Sequence, residues 1–599
     1  MYPRKSLTLA ITAGLMFGIG ACSMQEKSQT KKEGHTVKDD RAAVSEHDEG
    51  RQDALSGRDR INAMQIESPP APPAPPAPPP LISGVDAKFA APAATTSKIA
   101  REAVAIGTIA APPVNQAQAG DINRENYADH DDNAVMRVAE QPVSTFSIDV
   151  DTGSYTNVRR MLNDGQLPPR DAVRAEEFIN YFDYAYAPPV DRKTPFAVHT
   201  EVAPTPWNAR HQLMLVGIKG YEIAASEIPA ANIVFLIDSS GSMESPDKIG
   251  LLKQSFMAMV PRLREQDRIS IVVYAGSAGL VLPPTSGAEH ETILAAFDRL
   301  SAGGSTNGAA GIELAYQQAK RAYIEGGVNR VILATDGDFN VGTVDMEALK
   351  TLVAEQRRSG VSLTTLGFGQ GNYNDELSEQ LADIGNGNHA YIDTLNEGHK
   401  VLVEEMSSTL FTIAKDVKIQ VEFNPAVVSE YRLIGYENRM LAREDFNNDA
   451  IDAGEIGAGH DVTAIYEVVL AGSGAESVDP LRYGANATIK HSGDELAFVK
   501  LRYKQPDADT STLIERPIKL SEMAKEASPR LQFAAAVAAF ADRLRGGEHL
   551  GQFDLAQIAK LANAARNDDR FGYQREFVDL VNRAQALSGE AQAIAVVSE

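Results

Sequence analysis

The chain is 599 residues long, carries a formal net charge of -24 at pH 7 and contains one cysteine. This length exceeds what a single hydrophobic core supports, so we expect several domains joined by linkers. The acidic balance, without a sustained stripe of Lys and Arg, excludes nucleic acid as a partner, because a phosphate-binding surface needs clustered basic side chains. One cysteine also excludes an intrachain disulfide.

The first residues predict an export signal followed by a lipid attachment site. The basic pair Arg4-Lys5 precedes an apolar segment from Leu7 to Ile19, and Gly20-Ala21-Cys22 follows. These are the parts of a secretory signal peptide, here residues 1–21. A small residue directly before a cysteine resembles a bacterial lipobox, which implies that the Cys22 thiol is lipidated. A plain signal peptide with an incidental cysteine is the alternative.

The lipobox resemblance also carries an expectation about location. Ser23 follows the cysteine where lipoproteins retained in the inner membrane commonly have aspartate. The resemblance therefore implies a cell-envelope protein that is lipid-anchored at the outer membrane.

Residues 22–120 are predicted to be a disordered tether. This segment is charged, then rich in Pro and Ala, and has few large apolar residues with which to build a core. The tract from Pro69 to Pro80 favours a stiff polyproline helix. A spacer is the favoured interpretation, and a ligand for proline-recognition modules is the alternative. No later segment reaches the roughly 20 apolar residues that a membrane-spanning helix requires.

A first folded module is expected over residues 121–225. Ser144 to Val150 alternates between apolar and polar residues, which predicts a strand. The following Asp151-Thr-Gly-Ser sequence looks like the catalytic loop of aspartic proteases. That chemistry needs two such loops, and the chain has only one. We therefore predict a structural role, with Ser154 as the N-cap of a helix that continues through Leu162.

Strand and helix patterns alternate over residues 231–408. Such alternation predicts a doubly wound, mostly parallel α/β sheet, which resembles a Rossmann arrangement. The predicted strands are Asn232 to Ile237, Arg268 to Tyr274, Arg330 to Ala334, Ser362 to Phe368 and His389 to Ile392.

Three loops of this region carry oxygen-bearing side chains. Asp238, Ser240 and Ser242 follow the first predicted strand, Thr306 lies in a glycine-rich loop, and Asp336 follows a second apolar strand. Ligands of doubly wound sheets gather at the carboxyl ends of the strands, so these loops can converge. Donors that offer only oxygen suit a hard cation, with Mg²⁺ first and Mn²⁺ or Ca²⁺ as alternatives. Taken alone, Ser and Asp after a strand are also ordinary turn and N-cap residues.

The order Asp-x-Ser-x-Ser, then Thr, then Thr-Asp-Gly resembles the metal-ion-dependent adhesion site of von Willebrand factor type A domains. The resemblance covers roughly residues 231–408. It implies that Ser240, Ser242 and Thr306 are hydroxyl ligands of the metal. It implies further that Asp238 and Asp336 are acidic ligands, which act directly or through water.

The C-terminal third changes pattern twice. Residues 411–505 are predicted to be β-rich, with alternating strands such as Asp461 to Leu470, and residues 515–599 are predicted to be helical. The stretches Phe146 to Tyr181, Tyr431 to Arg439 and Ile456 to His460 look like the flanking modules of bacterial type A domain lipoproteins. In such proteins an N-terminal associated module precedes the metal domain, and a C-terminal module of unassigned role follows.

The resemblance and the ligand set together predict a binding protein and no enzyme. Two acids on a divalent ion leave room for one more anionic oxygen, so the expected partner is a protein that offers a carboxylate to the metal. A metal-dependent hydrolase is the first alternative, with Asp338 as the nearest candidate base. An envelope scaffold in which the metal only braces the loops is the second.

Overall fold

The computed structural model describes residues 125–128, 130–224, 226–304, 308–337, 346–371, 373–481, 493–567 and 569–589. These residues belong to one compact unit, Ala110–Glu599. The predicted signal peptide (1–21), Cys22, the whole predicted tether (22–120) and the first four residues of the predicted 121–225 module lie outside the described residues, as do Thr306 and Asp338. Among the described residues, no helix has both the length and the apolar character needed to span a bilayer.

The described strands are β1 (Met136–Arg137), β2 (Val143–Ser147), β3 (Phe196–Pro204), β4 (His211–Gly220), β5 (Ala231–Asp238), β6 (Arg268–Tyr274), β7 (Ala278–Ser286), β8 (Val328–Thr335), β9 (Ser362–Phe368), β10 (His389–Ile392), β11 (Thr412–Phe423), β12 (Val428–Ile434), β13 (Gly454–Gly457), β14 (Asp461–Leu470), β15 (Glu495–Lys504) and β16 (Ser511–Lys519). The described α-helices are α1 (Gly153–Asn163), α2 (Ala175–Asn180), α3 (Leu251–Met259), α4 (His290–Asp298), α5 (Gly308–Arg321), α6 (Met346–Arg357), α7 (Asp375–Ile384), α8 (Leu395–His399), α9 (Met406–Leu410), α10 (Pro529–Arg545), α11 (Leu555–Ala565) and α12 (Tyr573–Ser588).

The central sheet has the order β10-β9-β8-β5-β6-β7, and every neighbouring pair is parallel except β6 with β7. Residues of α3 and α4 pack on one face, and residues of α5, α6 and α7 pack on the other. Every residue of β5 is buried, as expected for a strand whose central residues from Ile233 to Ile237 are all apolar. The predicted doubly wound, mostly parallel sheet is confirmed.

Two antiparallel sheets pack against each other beside the central sheet. One has the order β1-β12-β14-β4-β3, and the other has β13-β11-β15-β16, with β2 also paired to β11. Their facing side chains form one core that includes Phe146, Met214, Ile419, Tyr466 and Leu501. Strands from before and after the central sheet therefore complete the same two sheets.

The C-terminal helices α10, α11 and α12 share a second core with α1 and α2. Phe178 and Phe540 lie 6.1 Å apart between ring centroids, and Phe540 and Phe577 lie 5.4 Å apart. Helix α10 ends at Arg545, where Gly546 adopts a positive φ of 126°. The β-rich and helical patterns of the C-terminal third are confirmed in type, but the predicted start of the helical region at residue 515 is wrong, because β16 continues to Lys519 and α10 begins at Pro529.

The predicted N-cap of α1 is wrong. The helix begins at Gly153, one residue before Ser154, and its N-cap is Thr152. The Ser154 hydroxyl instead donates to the Ala172 carbonyl at 2.7 Å and accepts from the Arg174 backbone N–H at 2.8 Å. The Ser154 hydroxyl is therefore engaged by a segment about twenty residues further along the chain and does not provide the helix cap that the local sequence had predicted.

Candidate metal centre

Strand β5 delivers Asp238 to the carboxyl edge of the central sheet. The side chain is fully buried, and its Oδ1 accepts from the Ser240 backbone N–H at 2.8 Å. Its Oδ2 accepts from the Thr335 hydroxyl at 3.3 Å, which joins the end of β5 to the end of β8. Burial raises the pKa of Asp238 to about 6; the hydrogen bonds from Ser240 oppose this shift, and the Asp336 carboxylate adds to it.

The hydroxyls of Ser240 and Ser242 lie beside this carboxylate. Their Oγ atoms are 2.9 Å apart. Neighbouring oxygen ligands of an octahedral Mg²⁺ at about 2.1 Å are themselves about 3 Å apart, so this spacing fits two adjacent ligands of one small cation. The pair therefore has the chemistry and the separation that a hard metal ion requires.

The glycine-rich loop is tied directly to the serine loop. The Gly303 backbone N–H donates to the Ser239 carbonyl at 2.8 Å, and the Gly241 N–H donates to the Gly304 carbonyl at 3.1 Å. Thr306 itself lies outside the described residues. The described residues nevertheless hold the start of its loop against Ser239 and Gly241.

Asp336 follows the last residue of β8 and is fully buried. Its Oδ2 accepts from the Lys248 ammonium at 3.0 Å, and the Lys248 side chain is only 8% exposed. The next residue, Gly337, has a φ of 83°, and a Cβ there would overlap the backbone of Tyr373 and Asn374. Only glycine allows the chain to turn at this point.

The structure thus brings Asp238, Ser240, Ser242 and Asp336 to the same edge of the sheet. The sequence did not reveal Lys248, which contacts Asp336 across 88 residues of chain. A lone lysine ten positions after an acid belongs to no metal-site pattern, so no sequence signal pointed to it. The donor set is rich in hydroxyls and carboxylates, and it fits a hard divalent cation.

A second group of carboxylates lies where α2, α7 and the segment after β2 meet. Single oxygens of Asp149, Glu177 and Glu379 all lie within 4.8 Å of one another, and the three residues are buried. This triad could hold a metal ion. Arg439 already donates to Asp149 at 3.1 Å and to Glu379 at 2.8 Å, and Arg174 donates to Glu177.

This triad differs from the sheet edge in the partners that its carboxylates already have. Burial raises the pKa of Glu177 to about 8, although the Arg174 guanidinium opposes the shift. The three acids are widely separated in the sequence and do not form a recognisable sequence motif. Arg439 and Arg174 already occupy carboxylate oxygens of this triad, whereas the sheet edge adds a hydroxyl pair at the spacing of metal ligands, so the sheet edge is the stronger candidate for a metal centre.

Comparison with protein-family models divides the chain into three matched regions. Residues 121–215 match a family described as von Willebrand factor, residues 232–404 match the von Willebrand factor type A domain, and residues 408–587 match the C-terminal region of the uncharacterized protein YfbK. The second match spans β5 to the end of the central sheet and therefore contains the candidate metal centre.

The chain is 48% identical to the uncharacterized protein YfbK of Escherichia coli (strain K12) over 474 residues, which span 78% of this chain and 82% of that protein. The chain belongs to the YfbK family. It is also 26% identical over 294 residues to the uncharacterized protein sll0103 of Synechocystis sp. (strain ATCC 27184 / PCC 6803 / Kazusa), a match that covers 48% of this chain and 65% of that protein. Family membership accounts for the order of an associated N-terminal region, a type A domain and a YfbK C-terminal region.

More distant matches are confined to smaller parts of the chain or are less similar. Inter-alpha-trypsin inhibitor heavy chain H4 of Homo sapiens is 31% identical over 146 residues, which span 23% of this chain and 16% of that protein. The solved structure of a von Willebrand factor type A protein from Catenulispora acidiphila aligns with a TM-score of 0.36 at 16% identity and covers 64% of this chain and 89% of that one.

Proposed function

We propose that this chain is a membrane-anchored binding protein that engages a partner protein through a divalent metal ion in its type A domain. Domains of this type typically bind proteins. The observation that carries the proposal is the meeting of Asp238, the Ser240–Ser242 hydroxyl pair and Asp336 at one sheet edge. We propose Thr306 as a fifth ligand on the adjoining loop.

The residues around the proposed site explain how it would be held in shape. Asp238 receives hydrogen bonds from Ser240 and Thr335, so its carboxylate is oriented before any ion arrives. The Thr335 hydroxyl also accepts from the Gly337 backbone N–H at 3.0 Å, which fixes the turn that carries Asp336. A bound Mg²⁺ would supply an open coordination position for a carboxylate oxygen of the partner.

We further propose that the domain is held in the cell envelope by a lipid on Cys22, at the outer membrane. The sequence features that support this are the signal-like residues 1–21 and the proline-rich tether up to residue 120. A spacer of this kind would let the candidate metal centre reach a partner at some distance from the lipid anchor. Labelling of cells with a radioactive fatty acid tests the anchor: wild type should be labelled, and Cys22→Ala should not.

The binding proposal is tested by affinity capture from envelope extract with the full chain. Wild type and Asp238→Ala are each compared with and without Mg²⁺, and Lys320→Gln serves as the control for a substitution at an exposed position of the same domain. We expect a set of captured proteins that appears only with wild type or the control in the presence of Mg²⁺. Equal capture in all arms would refute metal-dependent binding.

The same preparations test the enzymatic alternative. We propose that the protein is no enzyme, because the described donors at the sheet edge are hydroxyls and carboxylates with no histidine among them. Turnover of a generic phosphoester by wild type that is lost in Asp238→Ala would overturn this part of the proposal.

A further inference from the structure

In the part of the chain that the structure describes, Lys248 is a basic residue that hydrogen-bonds to an acid of the candidate metal centre. It lies in a helical turn over Pro246–Gly250, which immediately follows the serine loop and precedes α3. Its Nζ donates to Asp336 Oδ2 at 3.0 Å. The contact therefore joins the segment after β5 to the segment after β8, across the site itself.

The position of Lys248 is fixed by packing. Its side chain is 8% exposed, so the aliphatic stem is buried along with most of the ammonium group. The stem lies against Gly369, which follows β9 with a φ of 72°, and a Cβ at Gly369 would overlap the lysine carbons. A third strand end of the sheet is thus shaped to admit this side chain.

The ammonium changes the charge that a metal ion would meet. Asp238 and Asp336 alone would present two formal negative charges to a dication. With Lys248 beside Asp336, the three side chains carry one net negative charge. A divalent ion bound there would leave the site with one net positive charge, and such a site attracts an anionic oxygen more strongly than a neutral one.

We propose that Lys248 is the built-in counter-cation of the metal centre and sets its metal affinity. The ammonium holds Asp336 in place, lowers the affinity for a divalent ion, and leaves the loaded site positive toward a carboxylate. This inference rests on the proposed function, because it assigns Lys248 a role toward the ion that Asp238 and the two serines would hold.

The test is a calorimetric titration of the full chain with Mn²⁺ and, separately, Mg²⁺. Wild type is compared with Lys248→Gln, whose amide can still donate to Asp336 but carries no charge, and with Lys248→Met. Lys320→Gln is the matched control, because Lys320 is an exposed lysine of the same domain whose Nζ donates to Gln356 at 2.6 Å. Thermal unfolding without metal establishes that each variant is folded.

We expect both Lys248 variants to bind the ion more tightly than wild type, by about tenfold or more, because a unit positive charge within a few ångströms of a divalent ion is removed. Lys320→Gln should match wild type. Metal binding by wild type with equal or weaker binding by both folded Lys248 variants would overturn this inference and leave the metal site standing. Absence of binding in wild type and in every variant would instead refute the metal site, and this inference with it.

Discussion

Arg159 links the three matched regions of the chain, and replacing it with methionine should destabilise them together. The guanidinium is buried, with 2% of the side chain exposed. It donates to Asp393 at 2.5 and 2.8 Å, to Glu397 at 2.8 Å and to Glu576 at 3.0 Å. Asp393 follows β10, Glu397 lies on α8 and Glu576 lies on α12, whereas Arg159 itself lies on α1.

The size of the effect follows from what the substitution leaves behind. Asp393 and Glu397 are themselves 3% and 0% exposed, so Arg159→Met leaves two buried carboxylates without their main counter-charge. Removing one partner of a buried ion pair costs about 3–5 kcal/mol of unfolding free energy. The exposed pair of Arg192 and Glu227, 50% and 51% exposed, is the control, and Arg192→Met should leave the free energy of unfolding close to that of wild type, because solvent screens an exposed ion pair.

Urea unfolding followed by tryptophan fluorescence measures both variants. The chain has one tryptophan. Trp207 donates to Glu467 of β14 at 3.2 Å and lies 6.1 Å from the ring of Phe553, so it reports on a sheet and on the C-terminal helices at once. A loss below about 1 kcal/mol in Arg159→Met, no larger than that of the control, would refute the claim that this arginine holds the regions together.

Three further sets of variants test separate parts of the structure. Burial, together with the nearby Glu437 and Asp149 carboxylates, raises the pKa of Glu176 from 4.5 to about 8. The folded state therefore binds the Glu176 proton more tightly than the unfolded state does, and the free energy of unfolding falls as the pH rises from 4.5 to about 8. The free energy of unfolding of Glu176→Gln, measured with urea, should therefore exceed that of wild type by about 1–3 kcal/mol at pH 8.5 and be almost equal to it at pH 4. Gly337→Ala should lose more stability than Gly371→Ala, because both glycines have positive φ but only Gly337 would place a Cβ against backbone atoms. Ser240→Ala and Ser242→Ala should each weaken Mg²⁺ binding measured by calorimetry, whereas Ser239→Ala, whose hydroxyl donates to the Tyr274 carbonyl at 3.2 Å, should leave it near wild type.

Each of these expectations has a contrary result. A stability difference for Glu176→Gln that is the same at both pH values would contradict the buried, proton-binding state of that carboxyl. Equal losses in the two glycine variants would mean that the close approach at residue 337 has no energetic effect. Equal Mg²⁺ affinities in all three serine variants would contradict the claim that the Ser240 and Ser242 hydroxyls are ligands of the metal.

The sequence predicted what short-range patterns determine. The predicted strand from Asn232 to Ile237, apolar from Ile233 onward, lies within β5, which is buried at every residue because a strand covered on both faces needs no alternation. Placement of Asp238 and Asp336 at the carboxyl edge followed from the parallel pairing of β5 with β8. In both cases the prediction needed only the local sequence of one strand and the residue after it, together with the general rule for the carboxyl ends of parallel strands.

Long-range contacts were beyond prediction from the sequence. Phe146 of β2 pairs with Ile419 of β11, and nothing in either strand specifies that partner over another. The Lys248–Asp336 contact and the convergence of Asp149 with Glu379 depend likewise on how separate elements pack. Alternation and spacing report the face of an element, and the identity of its neighbour is decided by tertiary structure.

Calorimetric titration of the full chain with Mg²⁺ tests the central claim most directly, with Asp238→Asn and Glu379→Gln beside wild type. The first variant alters the sheet edge, and the second alters the buried triad at Asp149, Glu177 and Glu379. We predict that one ion binds per chain, that Asp238→Asn loses this binding while remaining folded, and that Glu379→Gln retains it. Binding that survives in Asp238→Asn, or that disappears in Glu379→Gln alone, would contradict a metal centre at the carboxyl edge of the sheet.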